Sequence, residues 1–416
     1  MENLPLFQQY INPQAIEVCR IIHEAGYEAY IVGGCVRDLL LGVKPKDWDI
    51  TTNANPQTIM QLFPKNYPTG LQHGTVTVAM GEGVENHFEV TTFRIEGEYT
   101  DGRRPEEVFF VMNVEEDLAR RDLTINAIAY DPLSGRIVDP FGGQEDLQNQ
   151  IIKAVGTPEA RFQEDGLRIM RVARFAARFN YRVDDATWQG MVKSLDTLKK
   201  VSKERLRDEL CKTLMTTFPS YGLRILLESG ALAIVCPYLA SKPVFTEFMV
   251  DIDKCLAELE TKVAFLYGNC TPKETVIKEL RDLKFSNNEL KKISFLLELL
   301  DKYAEVQSVA AYKGFMAALI NHSPVPWEEA LEQFILLTEA IGLGSRAHLA
   351  KYKSVVILPR KEMKINGDDL LLMGIKPGPQ IKYILNECYL EILKDPKNNN
   401  EAYLLSFAAG VPVSFN

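Results

Sequence analysis

Strand-forming sequence is confined to the first third of this chain. Up to about residue 145, runs rich in β-branched and aromatic residues ("YEAYIVGG", "DWDIT", "GTVTVAM", "NHFEVTTF", "EVFFVM") alternate with helical patterns. "NPQAIEVCRIIHEAG" is one such helix, with Asn12 to cap it, Pro13 in its first turn and Gly26 to end it. From residue 146 onward the periodicity is helical, as in "SKERLRDELCKTLM", "SYGLRILLESGAL", "FMVDIDKCLAELETKVAFLYG", "NNELKKISFLLELLDKYAEV" and "PWEEALEQFILLTEAIG". This order predicts an α/β head domain with a small mixed sheet and helices, followed by an all-α remainder. The expected segments are 1–145, 146–215, 216–310 and 311–416, with breaks near Pro237–Pro243 and Asn321–Pro326 and no evident repeat.

Composition narrows the function classes. A net charge of -9 argues against coating nucleic acid by bulk charge, while leaving room for a local basic groove. No run approaches the ~20 apolar residues that a bilayer span requires, so no membrane association is expected. "MENLPLFQQYINPQ" has neither a basic nor an apolar region of the signal-peptide kind. The seven cysteines are scattered without a C-x-x-C pair, which suits neither a zinc site nor a disulfide framework and predicts a reducing cytoplasm.

"GGCVRDLLLGVKPKDWDI" holds the densest chemistry. Two glycines, Gly33 and Gly34, end a strand as a helix begins, so free backbone N–H groups converge on a spot suited to phosphate, with Arg37 placed to reach it. Asp47 and Asp49 are read on the next strand, where a period of two sends both carboxylates to one face. Adjacent carboxylates repel unless a cation lies between them, and Mg2+ prefers one or two carboxylates plus substrate phosphates. Two unrelated solvated aspartates are the alternative reading.

"RFQEDGLRIMRVARFAARF" reads as one helix carrying Glu164, Asp165 and then Arg168, Arg171, Arg174 and Arg178. Asp165 and Arg168 would share a face as acceptor beside donor fork, with Glu164 bracing the arginine. That pattern complements cytosine and adenine, each with an amino donor beside a ring-nitrogen acceptor, and opposes uracil and guanine. Each buried mismatch costs about 1–3 kcal/mol, enough for selection. Intrahelical salt bridges are the bland alternative, but acids are too few beside the arginines to explain the row.

G-G-x-V-R-D followed by D-x-D resembles the nucleotidyltransferase signature of the DNA polymerase β superfamily, in which a third carboxylate comes from a neighbouring strand; Glu89 is its candidate here. "RRDLTINAIAY" resembles a block of the class II tRNA nucleotidyltransferases, the CCA-adding enzymes and related poly(A) polymerases. That resemblance implies Arg121 on the triphosphate and Asp122 and Asn126 ordering loop and ribose. "DPFGG" is similar to the family's hinge, "EDGLR" to its nucleotide-selecting motif and "SKERLRDE", with Glu204 and Arg205, to the motif that follows. Arg171 and Arg174 would then reach the triphosphate and the RNA end, and Arg178 either contacts RNA or is solvated. The implied segments are head, neck, body and tail.

The resemblance implies a CCA tRNA nucleotidyltransferase: Mg2+ on Asp47 and Asp49, CTP and ATP as substrates, tRNA as partner, and no obligate protein partner. A CC-adding or poly(A)-adding relative is the nearest rival, and a non-catalytic tRNA-binding protein a further one. Family members that add only CC lack a loop that "FRIEGEYTDGRRPEEVFFV" fills here, with Arg94, Arg103 and Arg104; the C-terminus lacks the basic extension of the poly(A) polymerases. His73 is expected in a structural turn. "KPGPQ", from Lys376, is either a helix start stiffened by proline or an RNA-phosphate contact.

Overall fold

Among the described residues nine strands precede residue 140: β1 (Ala29–Val32), β2 (Asp49–Thr52), β3 (Asn66–Gly70), β4 (Thr75–Ala79), β5 (His87–Thr92), β6 (Arg94–Glu96), β7 (Val108–Phe110), β8 (Ala129–Tyr130) and β9 (Ile137–Val138). Seven form one sheet in the order β3-β4-β5-β2-β1-β8-β9, while β6 and β7 pair separately. The sheet is mixed, because β2 and β5 run parallel and every other neighbouring pair antiparallel. The computed structural model describes residues 9–83, 86–96, 108–242, 250–255, 257–268, 270–352, 355 and 357–412, in two compact units, Met1–Ala240 and Ser241–Asn416.

The helix Pro13–Glu24 starts as its sequence dictates: Asn12 Oδ1 accepts from the Gln14 N–H at 2.8 Å and Pro13 occupies the first position. It buries Ala15, Val18, Cys19 and Ile22, one helical stripe. β1 is buried at all four positions, and Tyr30 and Val32 join Phe93, Val114, Leu118, Ala127 and Ala129 in a core beneath the sheet.

Past residue 146 strand is limited, among the described residues, to the short parallel pair Ile151–Ile152 and Arg182–Val183. The arginine-rich helix, Leu167–Phe179, buries Ile169, Met170, Val172, Ala173 and Ala176 and packs on helices Lys203–Leu214 and Pro219–Glu228. The run "SYGLRILLESGAL" is split by Gly230, at φ +87°. In the second unit the described residues are helical, with a core around Ile365, Leu370, Ile384, Cys388 and Ile392. The helix expected from Phe248 begins only at Leu259; residues 243–249 lie outside those described. All seven cysteines are free thiols. Among the described residues no helix is long and apolar enough to cross a membrane.

Candidate active site

β1 delivers the chain into Gly33 at φ +80°, and the helix Gly34–Leu40 follows at once. A Cβ on Gly33 would lie 2.8 Å from Arg121 Nη1, so glycine both permits the turn and admits the guanidinium. Arg37 departs from expectation. It is 3% exposed, its Nη1 donates to Asn126 Oδ1 at 2.5 Å, and its Nε and Nη2 donate to Asp38 Oδ1. Its guanidinium also lies about 5 Å from the ring centroids of Phe175 and Phe179, an orientation that binds the glycine turn to the arginine helix rather than facing a phosphate.

The acidic edge lies beside this turn. Only Asp49 belongs to β2; Asp47 precedes the strand in an exposed bend, and buried Trp48 separates the two. β2 and β5 run parallel in a register that pairs Asp49 with Glu89, and Glu89 N–H donates to Trp48 O. Burial, aggravated by Glu89 and Asp47 and opposed by Arg121, pushes the Asp49 carboxyl up to about 6. Among the described residues no three His, Cys, Asp or Glu side chains converge as a ready-made metal cage.

Arg121 and Asp122 form the wall opposite. Arg121 Nη2 lies 3.3 Å from Asp117 Oδ2, and its buried Nε has no hydrogen-bond partner. Asp122 Oδ1 accepts from Leu123 N–H and Asn126 Nδ2, while Oδ2 accepts from Arg171 Nε at 2.6 Å. Burial works against its ionisation, yet Arg171 and the Asn126 amide hold it at about 2. Arg37, Asn126, Asp122 and Arg171 thus form one continuous chain of hydrogen bonds.

The stretch read as a single helix is two. Helix Pro158–Glu164 stops, Asp165 is extended at φ -144°, and Leu167–Phe179 begins after Gly166. A Cβ on Gly166 would meet the Thr197 carbonyl carbon at 2.6 Å, so glycine lets a distant backbone segment pack closely against the break. Asp165 therefore does not share a helix face with Arg168. Its Oδ1 accepts from Leu167 N–H and its Oδ2 from Arg205 Nη2 at 2.6 Å. Arg168, 8% exposed, donates Nη1 to Glu164 Oε2 and to Arg161 O, and Nη2 to Arg120 O at 3.0 Å. The brace from Glu164 spans the break.

Arg174 Nε meets buried Glu209 Oε2 at 2.6 Å and stacks on Phe175, its guanidinium 4.3 Å from the ring centroid. Arg178 is paired with Asp38 at 3.2 Å, which ties it to the glycine-turn helix. Asp117, Glu209 and Asp38 are the partners that sequence reading missed. Asp117 precedes Arg120 and Arg121 at helical spacings of three and four, a signal present in the chain. In "DPFGG", Asp139 Oδ1 and Oδ2 accept from Gly143 N–H and Gln144 N–H, and Gly143 packs on Thr124 O. His73 ends a short turn, and its carbonyl accepts from Arg94. Arg103 and Arg104 lie outside the described residues. In the second unit Gly378 precedes helix Pro379–Lys394, beside a cavity of about 510 Å³ that Lys376, Gln380 and Val411 line.

Known proteins share this sequence and fold. Residues 29–153 match the family model described as "Poly A polymerase head domain", residues 180–242 "Probable RNA and SrmB- binding site of polymerase A", and residues 257–408 tRNA nucleotidyltransferase domain 2. The "CCA-adding enzyme" of Ligilactobacillus salivarius is 37% identical over 402 residues, 95% of each chain. That of Lactobacillus helveticus is 36% identical over 381 residues, 90% of this chain and 91% of the relative. The crystal structure of the Bacillus stearothermophilus CCA-adding enzyme in complex with CTP superposes with a TM-score of 0.77 at 30% identity, covering 96% of this chain and 98% of that one. With these similarities spanning nearly the whole sequence, the chain belongs to the CCA-adding enzymes, a family of nucleotidyltransferases.

Proposed function

We propose that this protein adds C, C and A to the 3′ end of tRNA from CTP and ATP, without a nucleic-acid template and with release of pyrophosphate. One observation carries the reading: Asp49 and Glu89 stand side by side on two neighbouring interior strands, with the Arg121 guanidinium against the Gly33 turn beside them.

The donor set suits Mg2+. It is all-oxygen and anionic, its innermost carboxyl is hindered from ionising by burial and by its acidic neighbours, and it forms no closed cage. Asp47 and Asp49 would hold the ion, with Glu89 beside them. When bound, the ion lowers the pKa of the RNA 3′-hydroxyl and offsets phosphate charge. In the transfer the 3′-oxygen bonds to the α-phosphorus in line as the bond to pyrophosphate breaks, and the hydroxyl proton passes to solvent.

The protein's share is orientation. Arg121, with an unused buried Nε, receives the triphosphate, and the N-terminus of the helix after Gly33 supports it. Asp122 and Asn126 fix the loop and ribose side; Arg171 and Arg174, held by Asp122 and Glu209, stand next to them. Asp165 and Arg168 select the base. A carboxylate has about four lone-pair sites, so the bonds from Leu167 N–H and Arg205 leave Asp165 capacity for an amino group of cytosine or adenine. Arg37 serves as a keystone between turn and arginine helix. The segments 1–145, 146–215, 216–310 and 311–416 act as catalytic head, nucleotide-selecting neck, body and tRNA-binding tail, in the cytoplasm.

The test uses tRNA transcripts ending before CCA or after CC, plus an unrelated RNA, with labelled CTP or ATP. Ordered addition of two C and one A, then arrest, supports the proposal. Long A tails on any RNA refute it.

A further inference from the structure

Asp117 is completely buried and stands outside every role assigned above. It sits in helix Val114–Ala119, where its two oxygens gather four groups from three parts of the site. Oδ1 accepts a fork from Arg120, Nε at 3.0 Å and Nη2 at 2.8 Å, and the backbone N–H of Arg94 at 3.4 Å. Oδ2 accepts from Arg121 Nη2 and from Thr51 Oγ1, both at 3.3 Å.

These partners are not interchangeable surroundings. Thr51 lies on β2, the strand that carries Asp49. Arg121 is the guanidinium against the Gly33 turn. Arg120 donates its side chain to Asp117 and offers its carbonyl to Arg168 Nη2 at 3.0 Å. One carboxylate therefore touches the acidic strand and the triphosphate arginine directly, and the base-selecting arginine through a single residue. Burying a carboxylate among cations contributes little net stability, because desolvation offsets most of the attraction. What such an arrangement does provide is fixed geometry, since one carboxylate orients two guanidinium groups, Arg120 on Oδ1 and Arg121 on Oδ2.

We infer that Asp117 is a positioning residue that sets Arg121 against the triphosphate and, through the Arg120 carbonyl, sets Arg168 for base selection, so that phosphate affinity and base choice depend on one side chain. The inference rests on the roles proposed for Arg121 and Arg168. It distinguishes Asp117 from a merely structural acid, whose loss would lower folding stability and leave selectivity alone.

The experiment compares Asp117→Asn, Arg121→Ala and the double variant with the wild type. Calorimetry measures CTP binding in Mg2+ without RNA. Incorporation on a tRNA lacking CCA measures the ratio of UMP to CMP added, and thermal melts report folding. Asp117→Asn is expected to weaken CTP binding and raise the UMP:CMP ratio, each about tenfold, the scale of one charge-assisted hydrogen bond. The double variant should bind CTP no more weakly than Arg121→Ala alone, because one interaction has been removed twice. Additive losses, or an unchanged ratio in a folded protein, overturn the inference. If Asp117→Asn does not fold, Arg120→Lys retains the charge and abolishes the fork; a roughly threefold rise in the ratio with CTP affinity within about twofold supports the inference, and an unchanged ratio overturns it. A wild type that binds CTP and fails to extend tRNA refutes the proposed function, and the binding cycle still decides on Asp117.

Discussion

Asp165 Oδ2 lies 2.6 Å from Arg205 Nη2, so the carboxylate proposed to read the base is anchored by the helix Lys203–Leu214. Asp165→Ala or Arg168→Ala should admit UTP or GTP while metal binding persists. Arg205→Lys, which leaves the carboxylate less firmly aimed, should lower discrimination against UTP by about tenfold, on the scale of one charge-assisted bond. Single-nucleotide incorporation with each triphosphate measures both effects. Unchanged selectivity in Asp165→Ala would remove the base-reading assignment.

Asp49 carries an electrostatic penalty that its role explains. Its carboxyl is raised to about 6, above an unfolded value of 3.8, so ionisation destabilises the metal-free fold at neutral pH and not below about pH 4. Asp49→Asn should therefore abolish nucleotide transfer and, in EDTA at pH 7.5, raise stability by on the order of 2 kcal/mol. Mg2+ should raise the melting temperature of the wild type more than that of the variant. Melts with and without chelator at pH 4 and pH 7.5 test the prediction, and a less stable variant at pH 7.5 contradicts it.

Asp122 acts in the opposite sense. Its carboxyl sits at about 2 beside Arg171, below the unfolded 3.8, so its contribution is present above about pH 4 and disappears as pH falls toward 2. Asp122→Asn should cost on the order of 2 kcal/mol at pH 7, and the difference from wild type should vanish near pH 2. Denaturant titrations across this range measure it; a gap independent of pH would assign the loss to packing instead.

Gly166→Ala tests the break in the base-selecting stretch. The added methyl would meet the Thr197 backbone carbon and oxygen at 2.6 and 2.7 Å, atoms that cannot swing aside. A cost of about 1–3 kcal/mol is expected, with discrimination against UTP falling as Asp165 shifts. Gly33→Ala differs, because its clash is with the Arg121 side chain rather than with backbone, and its φ is positive. There the KM for CTP should rise more than kcat falls. Steady-state kinetics separates the two variants.

The parts of the fold that were legible in the sequence were local ones. A glycine pair between strand and helix and caps such as Asn12 are set by neighbours within a few residues, so their spacing announces them, whereas the spacing of Asp47 and Asp49 did not show that the strand begins only at Asp49. The end of the helix at Asp165 was not legible, because the local pattern favours continuing and the close packing of Gly166 against Thr197 is a contact across the fold. Arg37 misled for a similar reason: it belongs to the phosphate-like turn by position, yet Asp38, Asn126 and two phenylalanines claim its charge. Which acid pairs with which arginine is tertiary information, and Glu209 carried no sign that it would be buried beneath Arg174.

The pairs Asp38–Arg178, Asp122–Arg171 and Arg120–Arg168 each join the sheet-bearing segment to the arginine helix. For anyone recombining relatives, a crossover at residue 145 would divide the two ion pairs and the bond from Arg168 to the Arg120 carbonyl, and in the ion pairs each parent would contribute a charge fitted to an absent counterpart. A seam at Ala240, the edge of the compact unit, keeps them in one inherited block.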